Sequence, residues 1–369
     1  MISIKAPEQY WNEPDLLLKS GALIAPLGQR AFLIAGDKAL NAVHPTLLES
    51  LDQAGIAYEI APFGGKVTLP EIEEYTAKAS VYQAEIIIGV GGGKVLDLTK
   101  AIGDKLRLPV VSVPTVAATC ASWAAVSILY DDLGRSSGYQ PNRRSPALVL
   151  ADTRVLASAP KRYLASGIGD TIVKWYETVV NLSDDPDGLD IRIATQTAKL
   201  ALERLRLHAL QAYEAAGTGQ VTHALTETID SVIVLAGLAG TIQGSTSRAA
   251  IAHAIHNSLT FLPQTAGTLH GEKVAFGLLT QVVLESRAEE EIRELALWLH
   301  KLNLPITLEA LGIFQDPASA ALEIAKGVQL RDGATKSLSF EVSESLLAEA
   351  IQRADGWGRR IIEAGYAAI

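Results

Sequence analysis

Glu85-Ile-Ile-Ile-Gly-Val-Gly-Gly-Gly-Lys-Val-Leu-Asp-Leu-Thr-Lys-Ala-Ile102 decides the fold class. Its first half is a short apolar run that stops at Gly91, Gly92 and Gly93, and its second half carries apolar residues at helical steps. An apolar run too short for a helix, closed by glycines and followed by a helical pattern, predicts a buried strand that turns into a helix. Glycines at such a turn let backbone N–H groups approach a phosphate, and the helix N-terminus adds positive potential. The loop from Gly91 to Lys94 therefore predicts a pyrophosphate site, although a plain tight turn satisfies the same residues. The glycine spacing matches neither the dinucleotide fingerprint nor the P-loop.

Working outward, the same strand-then-helix rhythm fills the first 150 or so residues. Ala31-Phe-Leu-Ile-Ala35 ends at Gly36-Asp37, Leu108-Pro-Val-Val-Ser-Val-Pro114 is closed by proline, and Ala147-Leu-Val-Leu-Ala151 reads as the last strand. Alternation of this kind predicts a mostly parallel sheet flanked by helices. Val126 to Tyr139, broken by the polar turn Asp131-Asp-Leu-Gly134, predicts a hairpin. From about residue 160 the pattern becomes helical, with amphipathic stretches over 189–216, 220–240, 272–302, 317–327 and 343–365. The expected organisation is an α/β dinucleotide-binding domain over 1–160 and an all-α domain over 161–369. No long linker separates them, which predicts that they share a cleft.

The 369 residues suffice for two cores, and 48% of them are apolar, as in packed globular proteins. A formal charge of −9 with scattered basic residues argues against a nucleic-acid or anionic-membrane surface. Cys120 is the single cysteine, which excludes an internal disulfide. The N-terminal segment Met1-Ile-Ser-Ile-Lys-Ala-Pro7 lacks the pattern of a signal peptide, and no uninterrupted apolar run approaches 18 residues. A soluble cytoplasmic protein with no membrane partner is expected, and its apolar helical half suggests a homo-oligomer.

Of seven histidines, three cluster: His253 and His256 in Ile251-Ala-His-Ala-Ile-His-Asn257, and His270 in His270-Gly-Glu-Lys273. Two histidines three apart on a helix project about 60° from each other and can face one cavity. A facing element can add His270, and Asp170 in Gly167-Ile-Gly-Asp170 can complete a site with one position open for substrate or water. Imidazole with carboxylate oxygen suits zinc or iron. The alternatives are three unrelated histidines, and an Asp170 that merely caps a helix starting at Thr171. Asp37, just past a strand, either accepts hydrogen bonds from a ribose, which favours NAD over NADP, or caps a helix.

Taken in order, Gly91-Gly-Gly-Lys-Val-Leu-Asp97, Pro114-Thr-Val-Ala-Ala-Thr119, Ser127-Ile-Leu-Tyr130, Gly167-Ile-Gly-Asp170, His253-Ala-Ile-His-Asn257 and His270-Gly-Glu-Lys-Val-Ala-Phe-Gly277 resemble the iron-containing alcohol dehydrogenase superfamily, in its glycerol dehydrogenase branch. The resemblance implies a dehydroquinate synthase-like architecture and NAD-linked, metal-dependent oxidation of a small polyol or 2-hydroxy acid. It implies metal ligation by Asp170, His253 and His270, with His256 near the substrate as a proton relay or as a residue that only orients the site. It also implies cofactor contacts at Asp37, Gly91, Gly92, Gly93, Lys94, Thr115, Ala118, Ala124, Val126 and Tyr130. One divalent metal is expected, zinc in preference to iron.

The sequence departs from that branch at Cys120, which stands where glycerol dehydrogenases carry an aspartate that helps hold the polyol. Ser122-Trp123 and Gly244-Ser-Thr-Ser-Arg248 depart as well. Cys120 is therefore the candidate substrate residue, and with Arg143, Arg144 or Arg248 as a nearby cation the expected substrate shifts from glycerol toward a 2-hydroxy acid. A dehydroquinate synthase-like or glycerol-phosphate dehydrogenase enzyme would need several convergent cations. A non-catalytic nucleotide or metal sensor of the same fold would not need the complete ligand set.

Overall fold

The computed structural model describes residues 2–182, 188–242, 250–330 and 334–366. The chain divides into two compact units, one made of Ser3–Leu164 with Ala215–Thr241, the other of Ala165–Glu214 with Ile242–Ile369. The change from strands to helices near residue 160 is thus close to a physical boundary, but the first unit also takes back the segment Ala215–Thr241.

Eight strands lie in the first unit: β1 Gln9–Glu13, β2 Arg30–Ala35, β3 Ala57–Pro62, β4 Ile86–Gly91, β5 Val110–Pro114, β6 Val126–Tyr130, β7 Ser136–Pro141 and β8 Leu148–Asp152. Six form one sheet in the order β1-β8-β5-β4-β2-β3, and every neighbouring pair is parallel. The central strands are apolar along their length because both faces are covered: Leu33, Ile86 and Ile88 pack into one core, and Phe32, Ile34 and Ile87 into the other. Each fully buried side chain of this size contributes about 1.5–3 kcal/mol. The expected hairpin is β6–β7, antiparallel from Val126 opposite Pro141 to Tyr130 opposite Ser136.

The two outermost strands, β1 and β3, are not among the expected ones. β1 reads Gln-Tyr-Trp-Asn-Glu and has no fully buried residue, while β3 has only Ala61 buried. An edge strand pairs on one side only and does not need an apolar run.

Strand order reverses between β2 and β4, since the chain leaves β2 outward to β3 and returns to β4 on β2's other side. Their carboxyl ends lie side by side, with Ala35 paired to Val90. In open α/β sheets the crevice beyond such a switch point is where nucleotides bind. Asp37 and the Gly91–Gly93 turn both emerge there.

One helical stretch, His223–Thr241, is long and apolar enough to cross a membrane by length and composition, although Glu227 and Asp230 interrupt it. It is a core element, 61% buried, and Asp230 accepts hydrogen bonds from Tyr10 Oη at 2.7 Å and Asn12 Nδ2 at 2.8 Å.

The second unit contains no strand among its described residues. Its helices are Lys161–Val179 from Ala165 onward, Leu189–Ala215, Ile251–Leu259, His270–Leu284, Glu289–Lys301, Pro317–Gly327 and Glu344–Glu363. Helix His270–Leu284 is buried continuously from Gly271 to Val283, so it forms the centre of this unit. The stretch 272–302 is two helices, broken where Ser286 turns to φ 54°.

Candidate active site: a metal triad and a nucleotide cradle

Three helices of the second unit approach one another at small residues. A Cβ on Gly271 would lie 1.8 Å from the Ser166 carbonyl oxygen, one on Gly169 2.7 Å from the Gly271 carbonyl oxygen, and one on Gly277 2.5 Å from the Ala252 carbonyl oxygen. Only hydrogen at these positions permits the approach, which sets Asp170, His253 and His270 on adjoining helical turns. Asp170 lies in the middle of helix Lys161–Val179, so it is not the cap of a helix beginning at Thr171.

Asp170 Oδ1 is 3.3 Å from His253 Nε2 and 3.3 Å from His270 Nε2, and the three ligand atoms fall within 4.8 Å of one another. The remaining nitrogens are held from behind. Glu177 Oε2 accepts from His253 Nδ1–H at 2.7 Å, and Oε1 accepts from the His253 backbone N–H at 2.9 Å. A carboxylate only accepts, so the proton of the neutral ring sits on Nδ1 and the Nε2 lone pair faces Asp170. His270 is set by a chain: Asn257 Oδ1 lies 3.0 Å from His256 Nδ1, and His256 Nε2 lies 2.9 Å from His270 Nδ1. With Asn257 accepting, His256 Nε2 accepts in turn from His270 Nδ1–H, leaving His270 Nε2 as a second lone pair toward Asp170. Two lone pairs and a carboxylate oxygen converging on one point fit a divalent cation, with room in a four-coordinate shell for one more ligand.

Without a metal, protons take its place: His253 is cationic, with its Nε2–H directed at Asp170. Burial pushes the Asp170 carboxyl upward, but Lys174, His270 and the hydrogen bonds from both histidines together hold it well below the usual range. Burial opposes charging of His253, whereas Glu177 and Asp170 raise it to about 9. His256 is pushed well below its ordinary value by burial and then by the charges of His270, His253 and Lys273, so it stays neutral as the chain above requires. Its ring faces His270 and Asn257.

In the first unit the glycine turn forms a second site. Gly91 ends β4 at φ 144°, a conformation L side chains rarely adopt, and a Cβ there would meet Val95 Cγ1 at 2.6 Å. A Cβ on Gly92 would lie 3.2 Å from Val116 Cγ2, and one on Gly93 3.3 Å from Thr119 Oγ1. The bare backbone opens helix Gly93–Leu106, so a phosphate meets N–H groups and the positive end of the helix dipole. Thr115 ties the neighbouring segment to this turn through its N–H to the Gly91 carbonyl at 3.1 Å. This cradle fits a dinucleotide pyrophosphate. Lys94 Nζ lies 4.9 Å from the centre of the Tyr130 ring, and burial lowers its pKa. Asp37 is exposed and is the first residue of its helix; Gly36 holds the N-cap position, which sets aside the capping alternative.

Ala118 is half-buried after β5, while Ala124 and Val126 lead into and begin β6. Their geometry depends on Lys100, which the sequence did not single out. Buried at 2% exposure, it pairs with Asp97 at 2.8 Å and donates to the carbonyls of Ala124 at 3.0 Å and Val126 at 2.6 Å. Cys120 is half-buried and opens the short turn Cys120–Ser122. Arg143 and Arg144 are exposed surface residues, and Arg143 is bound to Asp104. Arg248 and the rest of Gly244–Arg248 lie outside the described residues.

Two further site residues escaped sequence reasoning, Lys174 and Glu177. Both were readable as the i+4 and i+7 positions after Asp170, but only once Asp170 is known to be inside a helix.

Comparison with known proteins gives a coherent set of similarities. The family model for iron-containing alcohol dehydrogenase matches residues 7–153. The chain is 34% identical over 365 residues to a glycerol dehydrogenase of Escherichia coli O6:H1, covering 98% of both chains. It is 35% identical over 286 residues to hydroxycarboxylate dehydrogenase A of Escherichia coli K12, covering 77% of this chain and 78% of that one. Among solved structures, glycerol dehydrogenase from Schizosaccharomyces pombe superposes with a TM-score of 0.89 at 29% identity, covering 98% of this chain and 92% of that one.

Proposed function

We propose a division of labour for this chain, which belongs to the iron-containing alcohol dehydrogenase family: one set of residues holds NAD, another holds a divalent metal. The protein is an NAD-linked, metal-dependent oxidoreductase that interconverts the hydroxyl and carbonyl of a small polyol or 2-hydroxy acid. The observation that carries the metal assignment is the convergence of Asp170 Oδ1 with the two Nε2 lone pairs, each histidine fixed from behind. The phosphorylated-substrate and sensor alternatives are not favoured, since Arg143 and Arg144 are exposed on the surface and a complete ligand set is present.

Asp170, His253 and His270 ligate the metal. When bound there, a divalent cation supplies Lewis acidity, lowering the pKa of the substrate hydroxyl. Zinc is assigned over iron because it stands above Fe(II) in affinity for a nitrogen and oxygen donor set. Glu177 and the Asn257–His256 pair present the ligand nitrogens, which makes His256 a positioning residue acting through His270. NAD supplies the hydride acceptor. Gly91, Gly92 and Gly93 seat its pyrophosphate, Asp37 accepts from its ribose, and Lys94, Thr115, Ala118, Ala124, Val126 and Tyr130 line the remainder. Cys120 is assigned to the substrate, with the functional domains taken as 1–160 for nucleotide and 161–369 for metal. A cytoplasmic homo-oligomer completes the reading.

The test is NAD reduction by metal-loaded protein with a panel of diols and 2-hydroxy acids, alongside the metal content of His253→Ala and His270→Ala. Metal-dependent NADH formation supports the reading. A variant that keeps full metal occupancy and turnover contradicts the ligand assignment.

A further inference from the structure

Lys100 lies on helix Gly93–Leu106, about two turns past the Gly91–Gly93 cradle, and is buried inside the first unit. A lysine ammonium has three N–H donors and no acceptor. Three acceptors surround this one: Asp97 Oδ1 at 2.8 Å, the Ala124 carbonyl at 3.0 Å and the Val126 carbonyl at 2.6 Å. The Ala125 carbonyl between them accepts from the Asn142 backbone N–H at 3.0 Å. A second tie runs beside the first, since Ser127 Oγ donates to the Asp97 carbonyl at 2.7 Å and accepts from Asn142 Nδ2 at 2.9 Å. Buried groups therefore fasten the start of β6 to the helix that opens at the pyrophosphate cradle.

A buried ion pair stabilises a fold little more than well-packed apolar side chains of the same volume. What this pair adds is direction: an ammonium aimed at two alternate carbonyls fixes how far Ala124 and Val126 stand from the helix, which an apolar side chain cannot do. That distance matters for a dinucleotide. Asp37 follows β2, the glycine turn follows β4, and the segment carrying Ala124 leaves β5, on the side of β4 away from β2. A cofactor with its adenosine ribose at Asp37 and its pyrophosphate on the glycines extends its nicotinamide half toward β5 and the start of β6.

We propose that Lys100, assisted by Ser127, is a positioning residue for the nicotinamide half of NAD: with its donors spent on Asp97 and two carbonyls, it sets the wall formed by Ala124 and Val126 at a fixed distance from the pyrophosphate seat. The inference rests on the NAD assignment above.

ADP-ribose carries everything in NADH except the nicotinamide, so the ratio of the two affinities, measured by calorimetry on metal-loaded protein, isolates that half of the cofactor. In Lys100→Gln, NADH affinity falls about tenfold more than ADP-ribose affinity, and kcat falls roughly a hundredfold, the cost of a displacement of about 1 Å at the reacting carbon. Metal content stays at the wild-type value. Two further variants guard against misfolding. Asp97→Asn combined with Lys100→Gln leaves no unpaired buried charge, and Ser127→Ala deletes only the second tie; both shift the ratio in the same direction, Ser127→Ala by about threefold. A merely structural role lowers both affinities together and leaves the ratio where it was. An unchanged ratio in whichever of these variants folds overturns the proposal and leaves the NAD assignment standing. Wild-type protein that binds neither NADH nor ADP-ribose instead brings down the NAD assignment itself.

Discussion

Glu177→Gln is a small change of shape with a large expected effect on the metal. Glu177 is buried and spends both carboxylate oxygens on His253, accepting from the ring Nδ1–H at 2.7 Å and from the backbone N–H at 2.9 Å. Glutamine has one acceptor oxygen for two donors. If that oxygen takes the ring, the amide NH2 faces the backbone N–H and a buried donor loses its partner. If it takes the backbone, the amide donates to Nδ1 and drives the ring proton onto Nε2, the atom aimed at the metal. Either outcome forfeits a hydrogen bond to a charged group, about 1.5–3 kcal/mol. Loss of a partner behind a ligating histidine typically costs 10–100-fold in metal affinity, about 1.4–2.7 kcal/mol, so the two figures agree. Glu177 also holds the metal-free His253 ring protonated up to about pH 9, and the metal must displace that proton. Wild-type affinity therefore rises with pH until about 9, and at neutral pH the variant's weaker proton competition masks part of its loss. Chelator competition above about pH 9 isolates the effect. Thermal melts of the metal-free proteins serve as the folding control. Unchanged metal affinity there would refute the account of how Glu177 orients His253.

Three further outcomes follow from the same geometry. His253→Ala and His270→Ala each delete a proposed ligand, so metal content and turnover are expected to fall together, by more than the roughly 100-fold that a lost supporting partner costs, as read by metal analysis and NADH formation. Asp37→Gly removes the acceptor for the ribose and the charge that repels a 2′-phosphate; because Asp37 is exposed, the NAD-to-NADP ratio in kcat/KM should drop only about tenfold, and a wild type that prefers NADP contradicts the assignment. Gly271→Ala would place a methyl group 1.8 Å from the Ser166 carbonyl oxygen, forcing two helices apart; a destabilisation of about 1–3 kcal/mol or more with weakened metal binding is expected, and an unchanged melting temperature would show that the helices yield freely.

The parts of this fold legible in the sequence are those where one physical constraint dominates. β2 and β4 are covered on both faces and so announce themselves as apolar runs, and the glycines after β4 follow from a backbone that must stay bare. β1 and β3 pair on one side only, which frees their residues from that pattern and hides them. The histidine cluster stood out because imidazoles are rare in apolar surroundings. Asp170 reads as a ligand or as a helix cap because a lone carboxylate gives no sign of being in mid-helix, and the resemblance favours the ligand. Arg143 has its own partner at the surface, while the ammonium beside the triad belongs to Lys174, one turn after Asp170 on the same helix.

The helix Lys161–Val179 explains why the missed residues Lys174 and Glu177 belong with Asp170. Asp170, Lys174 and Glu177 follow a spacing of four and three, which places carboxylate, ammonium and carboxylate along one face. None of the three is tolerable there by itself, because burying an unpaired charge costs several kcal/mol. Asp170 is stabilised by Lys174 and two imidazoles, and Glu177 by two N–H groups of His253. His253 is the shared member, touched by all three side chains. Metal affinity is therefore a property of the whole face and of no single residue on it. A change at Lys174 alters the field at His253 and at Asp170 together, so its effect is expected in metal affinity even though Lys174 is not itself a proposed ligand.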